Sequence, residues 1–288
     1  MSPLERASTE EISAHQNAAL GRLLAYLQAN SPFYQRLFAQ HSLDIASIRT
    51  TADLARLPTT TKQDLQLHNW DFLCVPRSGV AEYCSTSGTL GRPVTIALTP
   101  RDLERLYRNE YLSFQCADGR ADDIYQLLLT LDRQFMAGIA YHGGILKTGA
   151  AVIRMGPGNL AAQFDTILNL KPTVLVAVPS FVVALVGYAR NAGLDLNTTS
   201  VRRIICIGES IRREELQPNA LARRITEAWN VQLHSTYAST EKQTAFTECG
   251  YGIGGHHQPE LLIFEILDEH GLVLPAGQPG ELTITTLG

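Results

Sequence analysis

Between Ser85 and Pro93 the chain reads STSGTLGRP, a stretch of hydroxyl side chains and two glycines ending on the cation Arg92. Backbone N–H groups that can turn inward, hydroxyl donors and a permanent guanidinium are what phosphate oxygens need, so phosphate is the natural guest of this loop. The spacing is not that of a Walker A loop, and no dinucleotide GxG fingerprint accompanies it. A flexible turn between two strands would share the composition, so the loop needs support from elsewhere in the chain. Cys249, His256 and His257 in ECGYGIGGHHQPE place a thiol and imidazoles at short separation. That suits a structural zinc ion, and a buried thiol beside a surface histidine pair equally well. Ser210 in GESI is followed by Ile211 rather than the glycine of a nucleophile elbow, which argues against a serine hydrolase. Lys62 in TTTKQDL reads as a solvated lysine in the first turn of a helix.

The elements that must position these residues are legible from periodicity. Ser8 and Glu11 form a capping box ahead of Ile12, Leu20, Leu23, Leu24 and Leu27, which predicts an amphipathic helix ending at NSPFY. A second helix is expected over RDLERLYRNEYLSFQCA. The runs IYQLLLT, AAVIRM, PTVLVAVP and RRIICIG are short, apolar and rich in β-branched residues, so they read as buried strands. Helical patterns lie between and after them, in LAAQFDTILNL, SFVVALVGYARNAG and REELQPNALARRITEAW. This alternation predicts an α/β body with a mostly parallel sheet covered by helices. From Pro259 the pattern becomes antiparallel β, with strand segments on both sides of DEHG and another at the end. The expected domains are therefore 1–258 and 259–288.

With 288 residues, 45% of them hydrophobic and 18% charged, the chain can bury a large core. A net charge of -4 without a basic stripe argues against nucleic acid and polybasic membrane binding. The polar N-terminus and the lack of a long apolar run predict a cytoplasmic protein without membrane spans. Five cysteines without CxxC spacing read as reduced thiols.

The loop does not stand alone. STSGTLGRP, YASTE (Tyr237–Glu241) and Gly280-Glu281-Leu282 follow one another in the order of the signatures of the adenylate-forming enzymes, and the chain resembles that superfamily throughout. SPFYQRLF, LPTTTKQDL, LTPRDLERLY, KPTVLVAVPS and LPAGQPGELTITTLG are most similar to phenylacetate-CoA ligase and its relatives. The resemblance implies the large α/β domain of such an enzyme followed by an antiparallel β subdomain. It also implies that the small C-terminal domain is absent, because the family's ribose-binding Asp, hinge and catalytic Lys would lie beyond Gly288. Ser85, Thr86, Ser87, Gly88, Thr89 and Gly91 match the residues that close on the ATP phosphates, with Arg92 where lysine is usual. Thr240 and Glu241 match those at the α-phosphate and Mg²⁺. Tyr237 matches the ring against adenine, and Ala238, in place of a glycine, and Ser239 follow it. Gly208, Glu209 and Ser210 fall on the adenine side.

Phe135, Ala137 and Gly138 match the wall of the acyl or aryl pocket, although plain packing would look the same, and His142 is either a site residue or a core histidine. The implied chemistry uses ATP and Mg²⁺ to turn a carboxylic acid, aromatic or arylacetic, into an acyl-adenylate and then, with coenzyme A, a thioester. Two alternatives stay open: a non-catalytic module, and one that hands the acyl group to a carrier protein. The Zn²⁺ site at Cys249 and His256 and a homodimer are open as well.

Overall fold

The computed structural model describes residues 4–86, 88 and 91–288. Ser8 and Glu11 form the capping box, each side chain accepting the other's backbone N–H at 3.2 and 2.9 Å. It opens α1 (Thr9–Asn30), and Ser31 then caps α2 (Pro32–Gln40), whose proline sits where a helix lacks an N–H partner in any case. Thr61 and Asp64 form another capping box at the start of α3 (Lys62–His68). β1 (Glu82–Ser85) and β2 (Thr95–Leu98) pair antiparallel around the Ser/Thr/Gly loop. Ser87 and Thr89, which the resemblance places at the phosphates, lie outside the described residues.

α4 (Pro100–Cys116) leads into an alternation of β3 (Ile124–Leu127), α5 (Met136–Thr148), β4 (Ala151–Arg154), α6 (Leu160–Leu170), β5 (Val174–Ala177), α7 (Pro179–Asn191), β6 (Arg203–Cys206), α8 (Ala220–Thr226) and β7 (Gln232–Ser239). β8 (Thr244–Glu248) and β9 (Gly255–His256) complete a seven-stranded sheet of order β4-β3-β5-β6-β7-β8-β9, parallel as far as β7 and antiparallel beyond it. All four residues of β5 are buried, as a central parallel strand covered on both faces requires. Alternation divides its side chains. Leu175 and Ala177 join Ile204, Val182, Leu185, Ile225 and Trp229 on one face, and Val174 and Val176 join Ile205, Phe114, Tyr141 and Ile145 on the other. Among the described residues no helix is long and apolar enough to cross a membrane.

β10 (Leu262–Leu267) and β11 (Glu281–Thr286) form a separate antiparallel ribbon. Two expectations fail locally. RREELQPN is not helical, because Leu216 is left-handed at φ 61° and Pro218 forms a strand-like bridge with Arg212. The segment after DEHG contributes one isolated bridge, Leu267 to Val273, rather than a full strand. Residues 1–103, 240–242 and 258–288 make one compact unit, and 104–239 with 243–257 the other. The reason is packing: Leu20 and Leu24 of α1, Phe38 of α2, Ile45 and Leu54 share a core with Ile263 of β10 and Leu287. Gln16 also donates to the carbonyls of Pro259 and Leu262 at 3.2 Å.

Candidate functional site

In the first unit the Ser/Thr/Gly loop is shaped at its neck and fastened at its far end. Thr86 donates its N–H to the Val94 carbonyl at 3.0 Å, and its buried hydroxyl accepts the Val94 N–H at 2.9 Å. Gly88 has φ +68°, and a Cβ there would come within 2.8 Å of Pro93 Cγ. The turn it makes is closed by a hydrogen bond from Gly91 N–H to the Gly88 carbonyl at 3.2 Å. At the far end Gln66 of α3 donates to the Arg92 carbonyl at 2.8 Å, and Asn69 exchanges two hydrogen bonds with the backbone of Thr95 at 2.8 and 3.0 Å. The Arg92 side chain is exposed.

Lys62, one turn before Gln66 on α3, brings its Nζ to 3.9 Å from Glu241 Oε1. Thr240 and Glu241 lie in the turn between β7 and β8 and belong to this unit. One face of a short helix thus links the loop to a carboxylate far from it in sequence.

In the second unit the segment after β6 turns at Gly208 (φ +73°), and Glu209 reaches back to α7. Its carboxylate accepts the Ser180 N–H at 2.8 Å and the Ser180 hydroxyl at 2.9 Å. Ser210 Oγ donates to the Arg212 carbonyl at 2.8 Å and accepts the Arg212 N–H at 3.1 Å, while Asn219 donates to the Ser210 carbonyl at 2.6 Å. Arg212 makes a forked pair with Glu248, whose side chain is 4% exposed, at 2.9 to 3.3 Å. These elements border an open cleft of about 300 Å³, lined by Ser210, Arg212, Ser235, Tyr237, Phe246 and Glu248 among others. Tyr237 is 58% exposed and faces Phe246 across the β7–β8 pair, with ring centroids 6.1 Å apart. The cavity has aromatic walls and a fixed guanidinium, at the carboxyl edge of a parallel sheet where α/β ligands bind.

Residues 36–288 match the family described as AMP-binding enzyme. The chain belongs to the AMP-binding enzyme family. It is 28% identical to phenylacetate-coenzyme A ligase of Aromatoleum evansii, over 100% of this chain and 65% of that protein. It is likewise 28% identical to the ligase of that name from Thermus thermophilus, over 99% of this chain and 63% of the relative. The chain thus spans a little under two thirds of these relatives. The fold is similar to 2-hydroxyisobutyryl-CoA ligase in complex with 2-HIB-AMP and CoA, with a TM-score of 0.84 at 20% identity over 99% of this chain and 61% of that one. It also resembles ATP-bound MatB from Rhodopseudomonas palustris, with a TM-score of 0.58 at 18% identity over 75% of this chain and 41% of that one.

Several residues that the resemblance assigns to the site also have structural contacts of their own in this AMP-binding enzyme. The Thr86 hydroxyl closes the loop neck, and the Glu209 carboxylate is engaged by the first turn of α7. Gly138 is buried, and a Cβ there would lie 2.4 Å from the Thr130 carbonyl oxygen, so its small size serves the seating of α5. Phe135 precedes α5 and is 37% exposed, following two consecutive left-handed residues, Arg133 and Gln134. Ala137 and His142 are half-buried on α5, and burial, with Arg154 nearby, pushes the His142 pKa down.

Among the described residues no three His, Cys, Asp or Glu side chains group as a metal site. Glu241 alone still fits Mg²⁺, which takes one or two carboxylates together with substrate phosphates. Sequence reasoning missed Gln66, Asn69, Arg212 and Glu248. For Arg212 and Glu248 the only signal was two opposite charges flanking the YASTE strand.

Proposed function

We propose that this chain carries the nucleotide- and acid-binding machinery of an ATP-dependent acid–thiol ligase acting on an aromatic or arylacetic acid, with coenzyme A as acceptor. The observation that carries the reading is the linkage through α3 of the Ser/Thr/Gly loop to Glu241, by Gln66 at 2.8 Å and Lys62 at 3.9 Å. Phosphate donors and a hard oxygen ligand on one scaffold are what a metal-bound triphosphate requires. The choice of acid and acceptor is supported by the names of the relatives.

A carboxylate is a poor acyl donor, because its charge repels nucleophiles and its leaving group would be oxide. Attack of its oxygen on the α-phosphorus of ATP expels pyrophosphate and leaves an acyl-adenylate. The thiol of coenzyme A then attacks the acyl carbon, and AMP departs with the electron pair of the broken C–O bond. In this scheme the loop amides, the Ser85 hydroxyl and Arg92 would hold the phosphates, with Thr240 and Glu241 serving the α-phosphate; the resemblance assigns Tyr237, Ala238, Ser239, Gly208 and Ser210 to the base. Mg²⁺, held by Glu241, would supply neutralisation of phosphate charge. No side chain needs to act as nucleophile, and the protein's share is positioning and charge stabilisation.

The test is pyrophosphate release from Mg·ATP with a panel of acids. Release dependent on phenylacetate or another aryl acid, and on the order of tenfold or more weaker Mg·ATP binding in Glu241→Ala by calorimetry, are the expected results. Acid-independent release, or a response to palmitate and to no aryl acid, would sink the reading. Thioester formation with coenzyme A, set against acylation of a carrier protein, identifies the acceptor.

A further inference from the structure

We infer that Lys62 is a phosphate-binding cation of the nucleotide site, presented by α3 to the same phosphates that the Ser/Thr/Gly loop and Glu241 serve; this rests on the ATP-dependent reading above. Lys62 occupies the first position of α3, with Asp64 completing the capping box two residues later. A cation there meets the positive end of the helix dipole, so helix stability does not account for it. Its ion pair with Glu241 does not account for it either. The distance is 3.9 Å and the side chains are 35% and 29% exposed, so solvent screens the pair and it contributes little to folding.

What the geometry does provide is position. Gln66, four residues on, shares a helix face with Lys62 and holds the Arg92 carbonyl, so the lysine stem rises from a helix fastened to the loop itself. Gly91 packs against the Gln66 amide, where a Cβ would approach Nε2 to 3.0 Å, which leaves little play between helix and loop. Thr61 Oγ1 and the Thr61 N–H both donate to Asp64 at 2.7 Å, fixing the turn from which Lys62 projects.

Without nucleotide the ammonium screens the Glu241 carboxylate. With a divalent cation held by that carboxylate, its charge would be offset, and the ammonium would be available to pair with phosphate oxygens. A lysine is suited to the exchange, since its charge is compact and its four-carbon stem is flexible. The function of Lys62 is therefore to add a second cation, beside Arg92, on the phosphate side of the site.

The experiment measures the affinities of Mg·ATP, inorganic pyrophosphate and adenosine for the wild type, Lys62→Met, Lys62→Arg, Glu241→Gln and the double variant Lys62→Met/Glu241→Gln. Lys62→Met should weaken Mg·ATP and pyrophosphate on the order of tenfold to a hundredfold, the range for loss of one charge-assisted contact, and leave adenosine unchanged. Lys62→Arg should recover most of the loss, and Lys62→Met should weaken ATP again in the Glu241→Gln background. An unchanged melting temperature for Lys62→Met is expected from its exposed position.

Equal losses for adenosine and ATP, or no loss at all, would overturn the inference. So would an effect that vanishes once Glu241 is neutral, because Lys62 would then serve only as the counter-ion of Glu241. Failure of the wild type to bind Mg·ATP would instead overturn the ATP-dependent reading, and a binding wild type with an unaffected Lys62→Met variant overturns the Lys62 role alone.

Discussion

At the scale of single residues, a side chain that looks like a ligand in the sequence can also hold the protein itself. Glu209 is the clearest case. Its two oxygens take the N–H and hydroxyl of Ser180 at the start of α7, where a carboxylate meets unpaired donors and the positive end of the helix. Glu209→Ala should therefore destabilise the chain by about 1 kcal/mol, the usual loss for a helix cap, and Glu209→Gln by less, since the amide oxygen still accepts. Urea unfolding checks this, and an alanine variant as stable as the wild type would show that the contacts contribute nothing. Because Ser210, next to Glu209, lines the cavity, the alanine variant should also bind ATP more weakly.

At the scale of elements, α4 and α5 approach so closely that side chains are excluded from one line of α5. A Cβ on Gly143 would fall 2.1 Å from the Tyr107 ring, and one on Gly144 would fall 2.4 Å from the Glu110 Cβ. Two effects compete in Gly144→Ala. Helix propensity favours alanine by roughly 1 kcal/mol, while overpacking a tight contact costs about 1 to 3 kcal/mol. The obstacle at Gly144 is a Cβ next to backbone rather than a flexible tip, so relief requires the helices to separate and the packing cost should win. We expect a net loss of up to about 2 kcal/mol in chemical denaturation; a variant more stable than the wild type would mean that α5 can shift freely. A shift would carry Phe135 and Ala137 with it, so the variant should also change the ranking of acids in the pyrophosphate assay.

At the scale of the whole molecule, acid sensitivity follows from where the histidines lie. Burial lowers the pKa of His234, His142 and His257 from the ordinary value of 6.5. His234 is fully buried, and its Nδ1 lies 3.0 Å from the Glu248 carbonyl, which calls for a proton on that nitrogen in the neutral ring. Below 6.5 the unfolded chain binds protons at these positions that the folded chain does not, so stability falls as the pH falls. The carboxylates whose pKa is lowered by hydrogen bonds, Asp53, Asp64 and Asp268, act in the same direction only once the pH nears their ordinary value of 3.8. The unfolding free energy should therefore decline between pH 7 and 5, and His234→Gln should flatten that decline whatever its effect at pH 7. An unaltered slope in the variant would remove His234 from the account.

The α/β alternation, the capping box at Ser8, the helix start at Lys62 and the buried β5 are all legible in the chain by itself, because each rests on residues near one another in sequence. Periodicity gives an apolar run its element, and local hydrogen bonds give a cap its residue. The YASTE and Gly-Glu-Leu signatures were legible by resemblance for the same reason of locality. What no local pattern contains is which distant segments share a surface. Only the tertiary structure decided that the ribbon after Pro259 completes the core of α1 and α2. It also decided that Gly138 and Gly144 are small because backbones meet there, and that Glu209 belongs to α7. Lys62 is the sharpest instance, since its exposed helical context reads as a solvated charge until folding brings Glu241 to within 3.9 Å of it. Pair distances of this kind depend on the packing of the whole chain, and a residue's neighbours in sequence carry no record of them.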